Sequence, residues 1–196
     1  MLRAGIGYEV LLGSLRGAQM IDAKAAERFM AAPWLAEVDP DTKRAISGAL
    51  VEARESTGAT LLEQGQPNDH LTFLIAGTAE IVRTFGSGRR EIITDLTAPA
   101  VFGTTSFFQP KPPTVTVKAT SDVWILSLYH PAHEALRAAN PRAAEALALA
   151  VVRALSERFD IIDKLFTEFT MQHSDGPARK SEWATFRARL FEERGI

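Results

Sequence analysis

The chain has no cysteine, which excludes a disulfide framework and a thiol nucleophile and fits a reducing compartment. An excess of one charge is missing too: 22 Lys+Arg stand against 24 Asp+Glu, a formal net charge of -2. Such a balance supplies no general pull on nucleic acid or on an anionic membrane. No uninterrupted apolar run opens the chain, because Gly5, Gly7, Glu9 and Gly13 break up the stretch where a signal peptide needs continuity. The expectation is a cytoplasmic protein with no membrane association. Activated nucleophiles are absent as well, since no motif aims a serine at a base. His130, His133 and Glu134 stand together, but no third and fourth ligand for a metal is evident. They read as capping and surface residues at a helix start. The chain is therefore expected not to be an enzyme and to hold no metal or cofactor.

What is present indicates one globular domain with helical flanks: 196 residues, 46% hydrophobic and 23% charged. Thr72 to Ile75, Ala79 to Phe85, Glu91 to Leu96, Thr114 to Ala119 and Val123 to Leu128 are short runs rich in β-branched and aromatic residues. Gly77, Gly86-Ser87-Gly88, Ala98-Pro99 and the Pro110 to Pro113 run punctuate them. Short strands at this spacing predict an antiparallel sandwich or barrel. Gly88-Arg89-Arg90 reads as a solvated hairpin tip, or as a contact for an acidic partner.

Helices are predicted before and after the strands. Asp22 to Met30 is alanine-rich, and a second helix runs from Pro40 or Asp41 to Arg54, with Asp39 as N-cap and Ile46, Leu50 and Val51 at helical spacing. A short helix from Pro131 to about Asn140 precedes a long one from Pro141. In the long helix Ala144, Ala148, Val151, Leu155, Arg158, Ile162, Leu165 and Phe169 recur at steps of four and three, and only Arg158 is charged. That stripe can serve as a coiled-coil seam. The other reading is that it packs on the barrel of its own chain, but Leu147, Ala154, Ile161 and Phe166 already offer a second apolar face for that purpose, which favours the seam. Past a His173 to Pro177 linker, a helix of about Ser181 to Arg194 carries Trp183, Phe186 and Leu190, either docked on the body or offered to a partner.

Phe102 to Ala119 reads FGTTSFFQPKPPTVTVKA and resembles the phosphate-binding cassette of cyclic nucleotide-binding domains, the family of Crp/Fnr-like regulators and protein kinase A regulatory subunits. Leu61 to Ile81 resembles the first hairpins of that family, and Ala119 to Leu128 its last barrel strands. The resemblance implies a mainly β jelly-roll barrel with N-terminal helices and a long C-terminal helix that makes a parallel dimer. The corresponding divisions are an N-terminal segment 1–21, the barrel with its helices 22–140, the dimer helix 141–170, and a linker with a short helix 171–196.

The resemblance also shows what has changed. The family cassette opens Phe-Gly-Glu and closes on Arg followed by a small residue and Ala. Here the glutamate that receives the ribose hydroxyl falls on Thr104, and the arginine that clamps the cyclic phosphate falls on Pro113. Losing a buried charge-assisted pair costs roughly 2 to 5 kcal/mol, enough to move a micromolar site towards millimolar. If a phosphate is still held, the residues for it are Gly103, the amides of Thr104, Thr105 and Ser106, the Lys111 ammonium and the Thr114 hydroxyl. Phe107 and Phe108 match core positions. Three prolines in four positions favour a fixed loop over a closing one.

The leading expectation is a non-catalytic regulatory or scaffolding protein, a homodimer through Val151, Leu155, Arg158, Ile162, Leu165 and Phe169 that acts on an unidentified protein partner. The alternative is a sensor that takes a cyclic mononucleotide weakly, or a different ligand such as a cyclic dinucleotide. A third is an accessory that heterodimerises with a DNA-binding regulator. One terminal helix cannot brace a recognition helix, so the chain is not expected to bind DNA by itself.

Overall fold

Residues 21–109 and 111–172 are described in the computed structural model of the chain. The readings on residues 1–20, on Pro110 and on the linker and terminal helix beyond Gln172 lie outside them.

Side chains fix where the first helices begin. The Asp22 carboxylate accepts from the amides of Lys24 at 2.8 Å and Ala25 at 3.4 Å, starting α1 (Ala23–Met30). A 3-10 turn at Pro33–Leu35 then buries Trp34 and Leu35. Asp39 starts α2 (Pro40–Ser47), accepting from the Thr42 amide at 3.0 Å and the Thr42 hydroxyl at 2.8 Å. These bonds, the one from the amide foremost, hold the Asp39 carboxyl below its usual value. Pro40 occupies the first helical position, where a missing N–H leaves nothing unpaired.

The second helix is shorter than its apolar spacing suggests. It stops at Ser47, and Val51–Glu55 forms strand β1, paired antiparallel with the last strand from Val51 opposite Ser127 to Glu55 opposite Val123. A partner strand decides the conformation of such a short run more strongly than intrinsic propensity does.

Seven further strands follow: β2 (Thr60–Leu62), β3 (His70–Ala76), β4 (Thr78–Thr84), β5 (Arg90–Thr97), β6 (Ala100–Phe102), β7 (Thr116–Ala119) and β8 (Val123–Tyr129). They build two four-stranded antiparallel sheets, ordered β1-β8-β3-β6 and β2-β7-β4-β5. The fold is thus mainly β with flanking helices, the jelly-roll barrel anticipated from the strand spacing. Between the sheets lie Leu62, Leu74, Ala79, Leu96, Phe102, Val117 and Ile125, among others. β3 and β8 are central and read as continuous buried runs because both of their faces are covered. On the outer side Phe29 of α1 meets Phe73 of β3 edge to face at 5.0 Å.

The short α3 (Thr104–Phe108) joins β6 to the loop before β7. After β8 come α4 (His130–Ala139) and the long α5 (Pro141–Gln172), close to the predicted limits. The chain divides into two compact units, residues 1–153 and 154–196. In the first unit, α5 buries Ala143, Ala144, Leu147, Ala150 and Val151. Arg142 pairs with Asp39 at 3.1 Å and Arg153 pairs with Glu37, which ties that part of the helix to the segment around α2. Among the described residues no helix is long and apolar enough to cross a membrane.

Candidate functional site

The cassette begins where β6 hands over to α3. Gly103 has φ +77°, and a Cβ there would stand 2.9 Å from the His70 carbonyl oxygen and 3.4 Å from Asn68 Nδ2. Only glycine accepts both the left-handed backbone and so close a neighbour. Asn68 Nδ2 donates to the His70 carbonyl at 2.7 Å and to Ser106 Oγ at 3.0 Å, and Ser106 Oγ donates to the Gly103 carbonyl at 3.1 Å. The loop before β3 and the first turn of α3 are therefore one hydrogen-bonded unit. The Phe107 amide closes the first helical bond, to the Gly103 carbonyl at 2.9 Å. That leaves the amides of Thr104, Thr105 and Ser106 as donors with no intrahelical partner.

The far end of the cassette is anchored to the same loop. Pro113 is buried, and its carbonyl accepts from the Gly65 amide at 2.9 Å. The Gln64 amide donates to the Thr116 hydroxyl at 3.2 Å. The Gln64 side chain meets Thr84 twice, donating to its carbonyl and accepting from its amide at 2.8 Å each. Residues 64–68 thus brace the end of β4 and both ends of the cassette.

The six candidate ligand residues fall in two groups. Gly103, Thr104, Thr105 and Ser106 are the cap and first turn of α3, with Thr104 and Ser106 buried and Thr105 exposed. The Ser106 hydroxyl is engaged by Asn68 and Gly103, so its contribution reduces to its amide. Lys111 and Thr114 lie on the following loop, and both are exposed. Thr104 and Pro113, the two positions where the sequence resemblance leads one to expect a glutamate and an arginine, are both buried.

Three expectations need correction. Phe107 is core, but Phe108 is 47% exposed, because the five-residue α3 has only one face to bury. His130 and His133 are not surface caps: both are half-buried. His130 stacks flat on Phe107, ring centroids 4.3 Å apart and planes within 5°, while His133 meets the same ring at 5.4 Å and 70°. The expected seam on α5 also loses a member, since Val151 is buried within its own chain at 2% exposure. Among its described side chains, the large apolar residues that α5 exposes are Leu149, Val152, Leu155, Phe159 and Ile161. Arg158 is half-buried, and burial lowers the pKa of its guanidinium from the ordinary value. The side chains of Ile162, Leu165 and Phe169 lie outside those described.

Titratable groups gather where β8 enters α4. Burial, aided by the Asp69 charge, raises the Tyr129 hydroxyl above its ordinary pKa. His70 Nδ1 lies 3.0 Å from an Asp69 carboxylate oxygen, and its ring is 5.1 Å from that of Tyr129. Burial lowers His133, with Glu134 opposing and His130 and Arg137 adding to the effect. Among the described residues no group of three His, Cys, Asp or Glu is placed to hold a metal. Sequence reasoning missed Gln64 and Asn68 as the struts of the cassette. Asn68 carries the signal of a turn residue in Pro67-Asn68-Asp69, but nothing local shows its reach to Ser106.

Comparison with known proteins places this geometry. Residues 54–140 match the family described as cyclic nucleotide-binding domain. The chain is 27% identical over 132 residues to the CRP-like cAMP-activated global transcriptional regulator of Mycobacterium tuberculosis, covering 67% of this chain and 59% of that protein. It therefore spans less than two thirds of the length of that curated relative. Among solved structures it is similar to the N-terminal domain of a transcriptional regulator from Streptomyces coelicolor, with 27% identity and a TM-score of 0.58, covering 69% of this chain and 94% of the other. A cyclic nucleotide-binding domain from Methylobacillus flagellatus aligns at a TM-score of 0.67 with 17% identity, covering 74% and 84% of the two chains, a likeness of fold alone.

Proposed function

We propose that this chain, whose residues 54–140 match the cyclic nucleotide-binding domain family, is a non-catalytic regulatory or scaffolding protein that works through protein–protein contact. The observation that carries this reading is Pro113. It stands where the family arginine clamps the phosphate, its ring is buried, it has no N–H to donate, and its carbonyl is already held by the Gly65 amide. Thr104, at the position of the ribose acceptor, is buried too and carries no charge.

One observation favours the second reading, a sensor of a weakly bound cyclic mononucleotide or of a different ligand such as a cyclic dinucleotide. The left-handed Gly103 and the turn after it present three amides at the start of α3, and those donors are independent of the lost side chains. Calorimetry with cyclic AMP and cyclic GMP tests both readings. The unmodified chain is expected to bind neither more tightly than about millimolar. Thr104→Glu with Pro113→Arg restores the two contacts, and arginine at 113 keeps the backbone carbonyl that Gly65 holds. Micromolar binding by the unmodified chain overturns the first reading. A failure of both forms to bind favours an interaction module.

The proposed assembly is a dimer in which a second copy packs along α5. The exposed Val152, Leu155 and Phe159 continue Ala148 at steps of four, three and four. That is a heptad seam one residue out of phase with the stripe read from sequence for Val151 and Arg158, and it shares Ala148 and Leu155 with it.

A further inference from the structure

We propose that His130 and His133 form a proton-sensitive latch that pins the cassette helix α3 to α4. The geometry is a shared ring. Phe107, only 2% exposed, has the His130 imidazole flat against it at 4.3 Å and the His133 imidazole at 5.4 Å, while Phe108 approaches His133 at 6.3 Å. The backbone reinforces the junction, since the His130 amide donates to the Asp69 carbonyl at 3.1 Å and Asp69 adjoins Asn68, which holds Ser106. Two side chains of α3, Ser106 and Phe107, are thus held by the loop before β3 and by the first turn of α4.

Both imidazoles lie in that first turn, where the helix dipole opposes positive charge. They are three residues apart, so two charged rings would repel, and both are half-buried. Around them α3 presents no charged side chain. The loop before β3 contributes Asp69, whose carboxylate faces His70. α4 contributes Glu134, already paired with Arg137 at 2.9 Å. Stacking of an imidazolium on Phe107 pulls the other way, but it favours only His130. The neutral rings therefore hold the latch. Burial lowers His133 below the ordinary imidazole value, so the unfolded chain takes up that proton more readily than the folded one. The contribution of the contact is complete above about pH 6.5 and falls as pH drops below it towards the lowered folded-state value. On the acid side α4 releases Phe107, and with it the turn that carries the Thr104, Thr105 and Ser106 amides. The latch operates whether or not the cassette holds a ligand.

An NMR titration of the whole chain from pH 8 to pH 5 tests this. The His133 midpoint is expected below about 6.5, and the amides of Thr105 to Phe108 and the Phe107 ring should move with the same midpoint. His133→Phe keeps the ring and removes the proton, so that movement of α3 should vanish. Cassette signals that stay fixed while His133 titrates would overturn the latch, as would an unchanged α3 movement in both His130→Phe and His133→Phe. Should either variant fail to fold, co-titration in the unmodified chain decides by itself.

Discussion

Gly65 and Gly103 flank the cassette with the same left-handed backbone, φ +79° and +77°, but with different neighbours: nothing stands within 4 Å of a Cβ at Gly65, whereas the His70 carbonyl is 2.9 Å from one at Gly103. Alanine at 65 adds only the left-handed strain, about 1 to 2 kcal/mol. At 103 a backbone carbonyl has to move as well, and it is the carbonyl that Asn68 holds. We expect Gly103→Ala to cost about 2 to 4 kcal/mol and Gly65→Ala about half as much, read as shifts in urea midpoint at unchanged slope. Equal costs would show that the His70 contact sets nothing. At this scale residue type was the legible part of the sequence: a threonine at 104 and a proline at 113 carry neither a carboxylate nor a guanidinium, wherever the loop goes. Their burial, and the bond from Asn68 to Ser106 across 38 residues, come from the meeting of two distant loops and leave no local pattern.

Elements were legible where the pattern was long or capped, and α5 shows what spacing leaves undecided. Asp22, Asp39 and Pro141 mark helix starts that the structure keeps, and the alternating strands lie within a residue or two of expectation. β2 and β6 are three residues each, too short to show a period, and β1 was absorbed into a helix because Ile46, Leu50 and Val51 also fit a turn of 3.6. On α5 two overlapping seams share Ala148 and Leu155, and the chain's own packing separates them by burying Val151 and exposing Val152 and Phe159. Glutamate at Val152 and Phe159 together should place four like charges in a dimer seam and give the monomer mass in light scattering, with an unchanged melting temperature for the dilute chain. Val151→Glu should instead lower the melting temperature, because it buries an unpaired charge within one chain. A monomer mass for the unmodified chain at micromolar concentration, or dissociation by Val151→Glu without loss of stability, would return the helix face to some other use.

Across the whole molecule the decisive quantity is charge. Binding to duplex DNA starts from the release of counterions by clustered lysine and arginine, and a chain with 22 basic against 24 acidic side chains has no surplus to supply it. Local pairing draws the balance down further: Arg44 with Asp41, Arg89 with Glu91, Arg137 with Glu134, Arg142 with Asp39 and Arg153 with Glu37 each spend a cation on a carboxylate. These pairs are exposed and contribute little to stability, yet they lower the positive potential that a phosphate backbone would meet. The M. tuberculosis relative is a transcriptional regulator of which this chain spans 59%, so the expectation concerns this polypeptide and not every protein built on the same barrel. We expect the chain to bind duplex DNA no more tightly than about 10⁻⁴ M at physiological salt, with no preference between sequences. A gel-shift series at rising salt checks it. A shift that is selective for sequence and weakens linearly on a logarithmic salt scale would mean that a local cluster overrides the balance, and would move the reading from a protein-contact module to a regulator that reads DNA directly.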